Sequence, residues 1–282
     1  MRSVLHLLLI LLFPLTVFSG EIVFGTYPSN SPENIYKAFT DITSYLAEDT
    51  GQNIRLVVTR DYSELAERLT NGTIDFAWIG SVNYVKAKKK IPSLRYIATY
   101  CERSDAQDKI IPYYQGYIIS KKSLGINTIS GLNGKMFAYV DKDSTSGYAY
   151  PRMMLKEMGI DDSTFFKKVF FLKKHDRVIE ALVSGSIDGG AVSDGTYYNA
   201  VEKYGSLFTI LEKSKPIPLD AVVASAKMPE STVQKIRTSL LKVGENHKVN
   251  GSIKKYLGWP AAGFTEKSDS FYDSLRQALD MK

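Results

Sequence analysis

Short apolar runs alternate with segments of helical spacing along most of the chain. The β-branched runs Ile22 to Gly25 and Ile54 to Val58 predict strands. Between them, Ser31-Pro32-Glu33 has the features of a helix start and Gly51 those of a helix stop. This helix has its apolar residues on one face, at Ile35, Phe39, Ile42 and Leu46. Because the alternation continues to the end of the chain, we predict the α/β class.

One helix-glycine-strand unit occurs twice. Glu67 to Asp75 recurs in outline as Glu180 to Asp188, and each copy leads through a polar turn to a tyrosine, Tyr84 or Tyr197. If the repeat is structural, each half of the molecule holds one equivalent unit, and the turn after each repeated strand lies at the carboxyl end of a sheet. Ligands of open α/β sheets bind at such ends. Chance similarity is the alternative, because such units are common in α/β proteins.

The length of the chain, 282 residues with 44% hydrophobic content, is in the range where chains divide into two domains. Two proline-flanked segments, Pro112 to Gly116 and Lys215 to Asp220, favour extended backbone and are candidate crossings between lobes. We therefore predict a two-lobed fold with a ligand cleft between the lobes. Lobe 1 would span residues 21–113 and 219–282, and lobe 2 residues 114–218. Two crossings form a hinge, which predicts closure around a ligand.

Residues 1–20 have the pattern of a cleaved secretory signal. Arg2 precedes the apolar run Val4 to Phe18, and the small residues Ser19 and Gly20 follow it. The run is too short to span a bilayer. Cys101, the single cysteine, lies far from this segment, so the lipid-attachment cysteine of a lipoprotein is missing. We expect an exported, soluble, periplasmic protein.

Charge and composition argue against several classes of protein. The net charge is +6, and the lysines are scattered except at Lys88 to Lys90, which we expect to form a solvated loop. No basic helix interleaved with aromatic residues indicates a nucleic-acid interface. Outside the predicted signal, two histidines and one cysteine form no cluster with metal-ligand spacing. The sequence therefore predicts no metal, no cofactor and no nucleic-acid partner.

Asp143 to Gly147 places three hydroxyl side chains and a glycine ahead of a helical pattern. Unpaired N–H groups at a helix start bind oxyanions, and hydroxyls add donors without charge. The alternative is a plain helix cap. Because Pro151 favours the first helical position, the turn could also be a looser anion-binding nest ahead of the helix. Both geometries stay open at this point.

Several separated motifs in this order resemble the phosphonate-binding family of periplasmic substrate-binding proteins that serve ABC transporters. They are Asp61-Tyr62, Asp75 to Gly80, Pro112 to Gly116, Asp143 to Gly147 with Pro151, His175, Ile217 to Asp220 and Leu257-Gly258-Trp259. The resemblance implies the type II binding-protein fold and a monomer that delivers a phosphonate, phosphite or phosphate to a membrane permease. It leaves open which of these is bound and whether an ammonium group is recognised.

The resemblance also implies a set of ligand-binding residues. The oxyanion donors come from lobe 2 and are Ser144, Thr145, Ser146 and His175. The pocket tyrosines are Tyr62 and Tyr114, and the pocket acids are Asp220 and Asp194. Asp194 lies one position away from the expected spacing, and Gly195 is the alternative. A carboxylate such as Asp220 accepts from a protonated phosphorus oxyanion or an ammonium group but repels sulfate, which predicts selectivity against sulfate.

Two other functions are compatible with the same residues. Ser144 or Ser146 with His175 and Asp194 could form a hydrolase triad, although no G-x-S-x-G elbow occurs. A sensing domain that feeds a receptor would have the same pocket as a transport protein. We expect binding without catalysis.

Overall fold

The structure is a computed structural model that describes residues 20–104 and 108–280. All of the predicted signal peptide except Gly20 lies outside the described residues. Within the described ranges, no helix is long and apolar enough to cross a membrane.

The chain forms the following elements in order. The first segment contains β1 (Ile22–Thr26), α1 (Pro32–Thr50), β2 (Ile54–Val58), α2 (Tyr62–Asn71), β3 (Phe76–Ile79), α3 (Ser81–Lys90), β4 (Arg95–Ser104) and β5 (Lys109–Ile111). The middle segment contains β6 (Tyr113–Tyr114), β7 (Gly116–Lys121), β8 (Met136–Tyr139), α4 (Tyr150–Glu157), α5 (Asp162–Phe165), β9 (Lys168–Phe171), α6 (His175–Ser184), β10 (Gly189–Ser193), α7 (Asp194–Tyr204), β11 (Phe208–Lys213) and β12 (Ile217–Pro218). The last segment contains β13 (Ala221–Ala224), α8 (Glu230–Leu241), α9 (Lys248–Leu257), β14 (Ala261–Thr265) and α10 (Asp273–Asp280).

Two sheets define the two lobes and confirm the predicted α/β class. Lobe 1 is built on a seven-stranded sheet in the order β14-β4-β13-β3-β1-β2, with β5 also paired to β4. Lobe 2 is built on a five-stranded sheet in the order β11-β7-β10-β8-β9. Phe24, Phe39 and Trp78 lie in the core of lobe 1. In lobe 2, successive residues of β7 point to opposite faces, so Ile118 and Ile119 pack in separate clusters.

The two crossings between the lobes pair with each other. Strands β6 and β12 form a small antiparallel sheet in which Tyr114 lies opposite Ile217 and Tyr113 opposite Pro218. This pairing joins the two connections side by side between the large sheets. The predicted lobe boundaries, at 113/114 and 218/219, fall at this small sheet and stay a prediction.

The repeated unit has the same local geometry in both lobes. Gly72 and Gly185 end α2 and α6 with φ of 77° and 75°, in the left-handed region that glycine adopts without strain. Asp75 then accepts a hydrogen bond from the Val23 N–H at 2.8 Å, and Asp188 accepts one from the Met136 N–H at 2.8 Å. Each acid therefore fastens the start of a repeated strand to the start of the neighbouring parallel strand.

The lysine run at Lys88 to Lys90 does not form the expected loop. It forms the last turn of α3, where positive charge complements the partial negative charge of a helix C-terminus. The Lys88 ammonium also donates to the Pro92 and Leu94 carbonyls. The loop prediction was wrong because the buried residues that make this segment helical, such as Val82 and Val85, precede the run.

Replacing Asp75 or Asp188 with Ala should lower the free energy of unfolding by about 2 kcal/mol each, because a hydrogen bond from a backbone N–H to a carboxylate is lost. Urea unfolding measures the loss. Glu48→Ala, at an exposed position on α1, is the matched control and should change little. If the aspartate variants were as stable as the control, the hydrogen bonds of Asp75 and Asp188 would not stabilise the fold.

Candidate functional site

The carboxyl ends of strands from both sheets meet around one cavity of about 50 Å³. The turns after β1, β2 and β3 approach it from lobe 1, and those after β8, β9 and β10 approach it from lobe 2. Strand β13 runs antiparallel to β3, so Asp220, just before β13, reaches the same edge. The lining residues are Tyr27, Ser29, Asn30, Tyr62, Gly80, Tyr100, Glu102, Tyr114, Ser144, Thr145, Ser146, His175, Ser193, Asp194, Gly195, Leu219, Asp220 and Trp259.

All eight residues predicted to bind a ligand line this cavity, as does the alternative Gly195. The structure therefore brings together side chains that are up to 158 positions apart in the sequence, from Tyr62 to Asp220. Whether each of them contacts a ligand stays a prediction.

The hydroxyl turn combines the two geometries that the sequence left open. Ser144 caps a π-helical turn, Thr145–Ala149, and its Oγ accepts from the Gly147 N–H at 3.1 Å. Helix α4 follows this turn directly, with Pro151 near its start. Gly147 is required, because a Cβ at this position would lie 2.4 Å from Val140 Cγ2. A hydroxyl that accepts through a lone pair keeps its proton, so Ser144 can both cap the turn and donate into the cavity.

Hydrogen bonds cross from lobe 1 to the hydroxyl turn. Thr145 Oγ1 accepts from the Val82 N–H at 3.1 Å, and the Asn83 amide donates to the Asp143 carbonyl at 2.9 Å. The Lys86 ammonium lies 2.7 Å from Asp143 Oδ1. These contacts bring α3 of lobe 1 against the turn in lobe 2, so the described conformation is closed over the cavity.

His175 enters the cavity as a neutral donor. Its Nδ1 accepts from the Ser193 N–H at 3.2 Å, which assigns the remaining proton to Nε2. Burial lowers the pKa of His175 to about 4, so the ring is uncharged at neutral pH. Its own backbone N–H donates across the cleft to the Ser29 carbonyl at 3.0 Å.

The arrangement around Asp194 does not provide the hydrogen bond that a hydrolase triad needs. Asp194 Oδ1 accepts from the Gly195 N–H and Oδ2 from the Gln115 N–H, both at 2.8 Å. His175 uses Nδ1 as an acceptor, so this nitrogen does not donate to Asp194. A triad requires the opposite polarity, with the histidine N–H donating to the acid.

Three carboxyl groups line the cavity: Asp220 and Glu102 are buried, and Asp194 is partly buried. Asp220 Oδ2 accepts from the Tyr27 hydroxyl and, at 2.9 Å, from Trp78 Nε1. Burial raises the pKa of Asp220, although these two hydrogen bonds counteract the shift. Burial also raises the pKa of Asp194 to about 6. The pKa of Glu102 lies well above its usual range, first because the group is buried and then because Asp194 and Asp220 are near.

The sequence reasoning missed Ser29, Tyr100, Glu102 and Trp259. Tyr100 and Glu102 are two positions apart on β4 and therefore share the face that looks into the cavity. An acid near the end of an apolar strand was an available signal for Glu102. Ser29 gave none, although its buried Oγ has no hydrogen-bond partner among the described residues.

Comparison with known proteins shows what the chain is similar to. A model of the family described as "ABC transporter, phosphonate, periplasmic substrate-binding protein" matches residues 24–272. The chain is 23% identical to the phosphate-import protein PhnD of Mycolicibacterium smegmatis, over 94% of this chain and 86% of that protein.

Two solved structures have a similar fold. PhnD1 from Prochlorococcus marinus, in complex with methylphosphonate, aligns with a TM-score of 0.81 at 19% identity, over 93% of this chain and 97% of the other. A binding protein component of a phosphonate ABC transporter from Pseudomonas aeruginosa aligns with a TM-score of 0.80 at 19% identity, over 92% and 85%. Both likenesses confirm the predicted two-lobed type II binding-protein fold.

The depressed pKa of His175 predicts a pH-dependent loss of stability. Between pH 4 and 6.5 the unfolded chain binds a proton at this residue that the folded protein does not, so stability falls as the pH falls through this window. The pKa shift corresponds to a loss of about 3 kcal/mol in the free energy of unfolding. The variant His175→Gln should not show this loss, because glutamine does not titrate. Urea unfolding of both proteins from pH 7 to pH 4 measures the difference, and parallel profiles would contradict the assignment.

Proposed function

The chain belongs to the family of periplasmic substrate-binding proteins for phosphonates that serve ABC transporters, and we propose that it binds one small phosphorus oxyanion between its lobes and delivers it to a membrane permease. The proposal includes the periplasmic location, the monomeric state and binding without catalysis. The observation that carries it is a small closed cavity lined by buried hydroxyls and a neutral imidazole.

The donors suit an oxyanion. Ser144, Thr145 and Ser146 are each at most 5% exposed, and we propose that their hydroxyls and the His175 Nε2–H donate to the ligand oxygens. No lysine or arginine of the described residues lines the cavity. The negative charge would therefore be held by hydrogen bonds from neutral donors, which are strengthened by the charge of the acceptor.

The carboxyl groups suit a ligand that carries a proton or a cation. In Asp220 the two hydrogen bonds from Tyr27 and Trp78 both reach Oδ2, and among the described residues none reaches Oδ1. We propose that Oδ1 accepts from a P–OH group or an ammonium group of the ligand. Sulfate has neither at neutral pH, so it would leave the carboxylate facing an oxyanion without a shared proton.

Ligand binding and lobe closure would be coupled through tyrosines. Tyr62 of lobe 1 lines the same cavity as Ser144 and Ser146 of lobe 2, and Tyr114 lines it from the crossing strand β6. We propose that Tyr62, which belongs to lobe 1, reaches a ligand held by the hydroxyl turn of lobe 2 only when the lobes are together, whereas Tyr114 lies in the crossing strand β6. We propose that the paired strands β6 and β12 are the hinge and that the lobes divide at 113/114 and 218/219.

Calorimetric titration should show binding of at least one of methylphosphonate, phosphite and phosphate with a dissociation constant near 1 μM or below, which corresponds to about 8 kcal/mol. Changing both Ser144 and Ser146 to Ala should weaken this binding by at least about 3 kcal/mol, because two charge-assisted hydrogen bonds are lost. Ser130→Ala, an exposed serine of lobe 2, is the control. Absence of binding to all three anions would rule the proposal out.

Asp220→Asn should reduce discrimination against sulfate. The amide keeps an acceptor for Tyr27 and Trp78 but can donate to a fully deprotonated anion, so we expect the ratio of phosphate to sulfate affinity to fall about tenfold or more. Competition titrations measure this ratio. Asp161→Asn, at a surface helix cap of lobe 2, is the control. An unchanged ratio in Asp220→Asn would remove Asp220 from the selectivity mechanism.

A further inference from the structure

A second and larger cavity, of about 540 Å³, shares a wall with the first. Four residues line both spaces: Glu102, Tyr114, Asp194 and Gly195. The rest of the second cavity is formed by the crossings, the end of β4 and parts of β7 and α7, including Arg103, Pro216, Tyr117 and Tyr198. The shared wall separates a volume that suits one small anion from a volume about ten times larger.

Three of the four wall residues have positions that are fixed by hydrogen bonds, strand pairing or close packing. Asp194 is fixed by hydrogen bonds from two backbone N–H groups. Tyr114 lies in β6, paired with Ile217. Gly195 has no side chain, and a Cβ there would lie 3.2 Å from Trp259 Cδ1, so this part of the wall is closely packed.

Glu102 contributes to the wall with its side chain. Its backbone is fixed in β4, where it lies opposite Ala261 on one side and Ile111 on the other. Glu102 lines both cavities, its carboxyl group lies near enough to Asp194 and Asp220 to interact with them electrostatically, and the residue is only 8% exposed. Since no basic side chain of the described residues lines the first cavity, Glu102 has no ion-pair partner there that would offset its burial.

The volume of the first cavity limits what can enter it. Its accessible volume of about 50 Å³ leaves room for only a few heavy atoms. This volume suits a ligand of one phosphorus atom with four small substituents. A chain of several further heavy atoms would have to pass Glu102 into the second cavity.

We propose that Glu102 is a specificity residue that closes the anion cavity and excludes phosphonates whose substituent is larger than methyl, which leaves the P–OH group, of the two partners proposed for Asp220, as the one that the cavity admits. The inference rests on the proposed function and extends it from a type of anion to a limit on ligand size. The side chain acts as a barrier through its length, so a shorter residue at this position joins the two cavities.

Calorimetric titration of the wild type, Glu102→Ala and Glu102→Gln with methylphosphonate and phenylphosphonate tests this inference. The wild type should bind phenylphosphonate at least 100-fold more weakly than methylphosphonate. Glu102→Ala should bind phenylphosphonate at least tenfold more tightly than the wild type does. Glu102→Gln should keep the wild-type preference, because it preserves the length of the side chain and replaces only the ionisable carboxyl group with an amide. Thermal melts of each variant confirm that it is folded.

Several outcomes would overturn the inference. Equal affinity of the wild type for both phosphonates would show that no barrier exists, and this comparison requires no variant to fold. A folded Glu102→Ala that binds methylphosphonate but gains nothing for phenylphosphonate would remove Glu102 from the barrier. A gain in Glu102→Gln as large as in Glu102→Ala would show that charge, rather than length, excludes the larger ligand. Failure of the wild type to bind methylphosphonate, phosphite and phosphate alike would instead overturn the proposed function, and this inference with it.

Discussion

Under the proposed function, the cavity between the lobes holds negative charge with neutral donors, because no lysine or arginine of the described chain lines it. This constraint accounts for the arrangement around it. The hydroxyl turn after β8 is buried and capped so that its donors have fixed positions. His175 is kept uncharged by burial and oriented by the Ser193 N–H, which leaves one ring N–H free to donate. Pre-positioned neutral donors in a dry site bind an oxyanion strongly without a full positive charge.

The acids that line the cavity impose the second condition, since they would repel an anion that brings no proton or cation. Two hydrogen bonds reach each of Asp220 and Asp194, so neither carboxyl group can turn away from the cavity. Asp194 and the proposed donors follow strands of the lobe 2 sheet, whereas Asp220 precedes a strand of the lobe 1 sheet, so Asp220 faces the donors only when the lobes are together. Contacts such as Val82 to Thr145 and Lys86 to Asp143 hold this closed arrangement. Under the proposed function, selectivity and closure therefore depend on the same interface.

Much of the fold and of the candidate site could be predicted from the sequence, because the sequence patterns that indicate them are local. The cap residues of α1, the repeated unit and the hydroxyl turn each lie within a few adjacent positions, and the structure places Gly72 and Gly185 in equivalent conformations. Glu102 gave only a weak signal, an acid near the end of an apolar strand, because its place in the wall depends on how β4 lies against Asp194, which is 92 positions away. Ser29 was missed for the same reason, since its hydroxyl is buried by contacts between the lobes.

A crystal structure of the protein with methylphosphonate tests the central claim most directly. The account predicts one anion in the cavity between the lobes, with its oxygens about 2.9 Å from the hydroxyls of the Ser144 to Ser146 turn and from His175 Nε2. It also predicts that Asp220 Oδ1 lies within hydrogen-bond distance of a ligand oxygen that carries a proton. An anion bound outside the cleft, or one in the cleft that contacts neither the hydroxyl turn nor His175, would contradict the account.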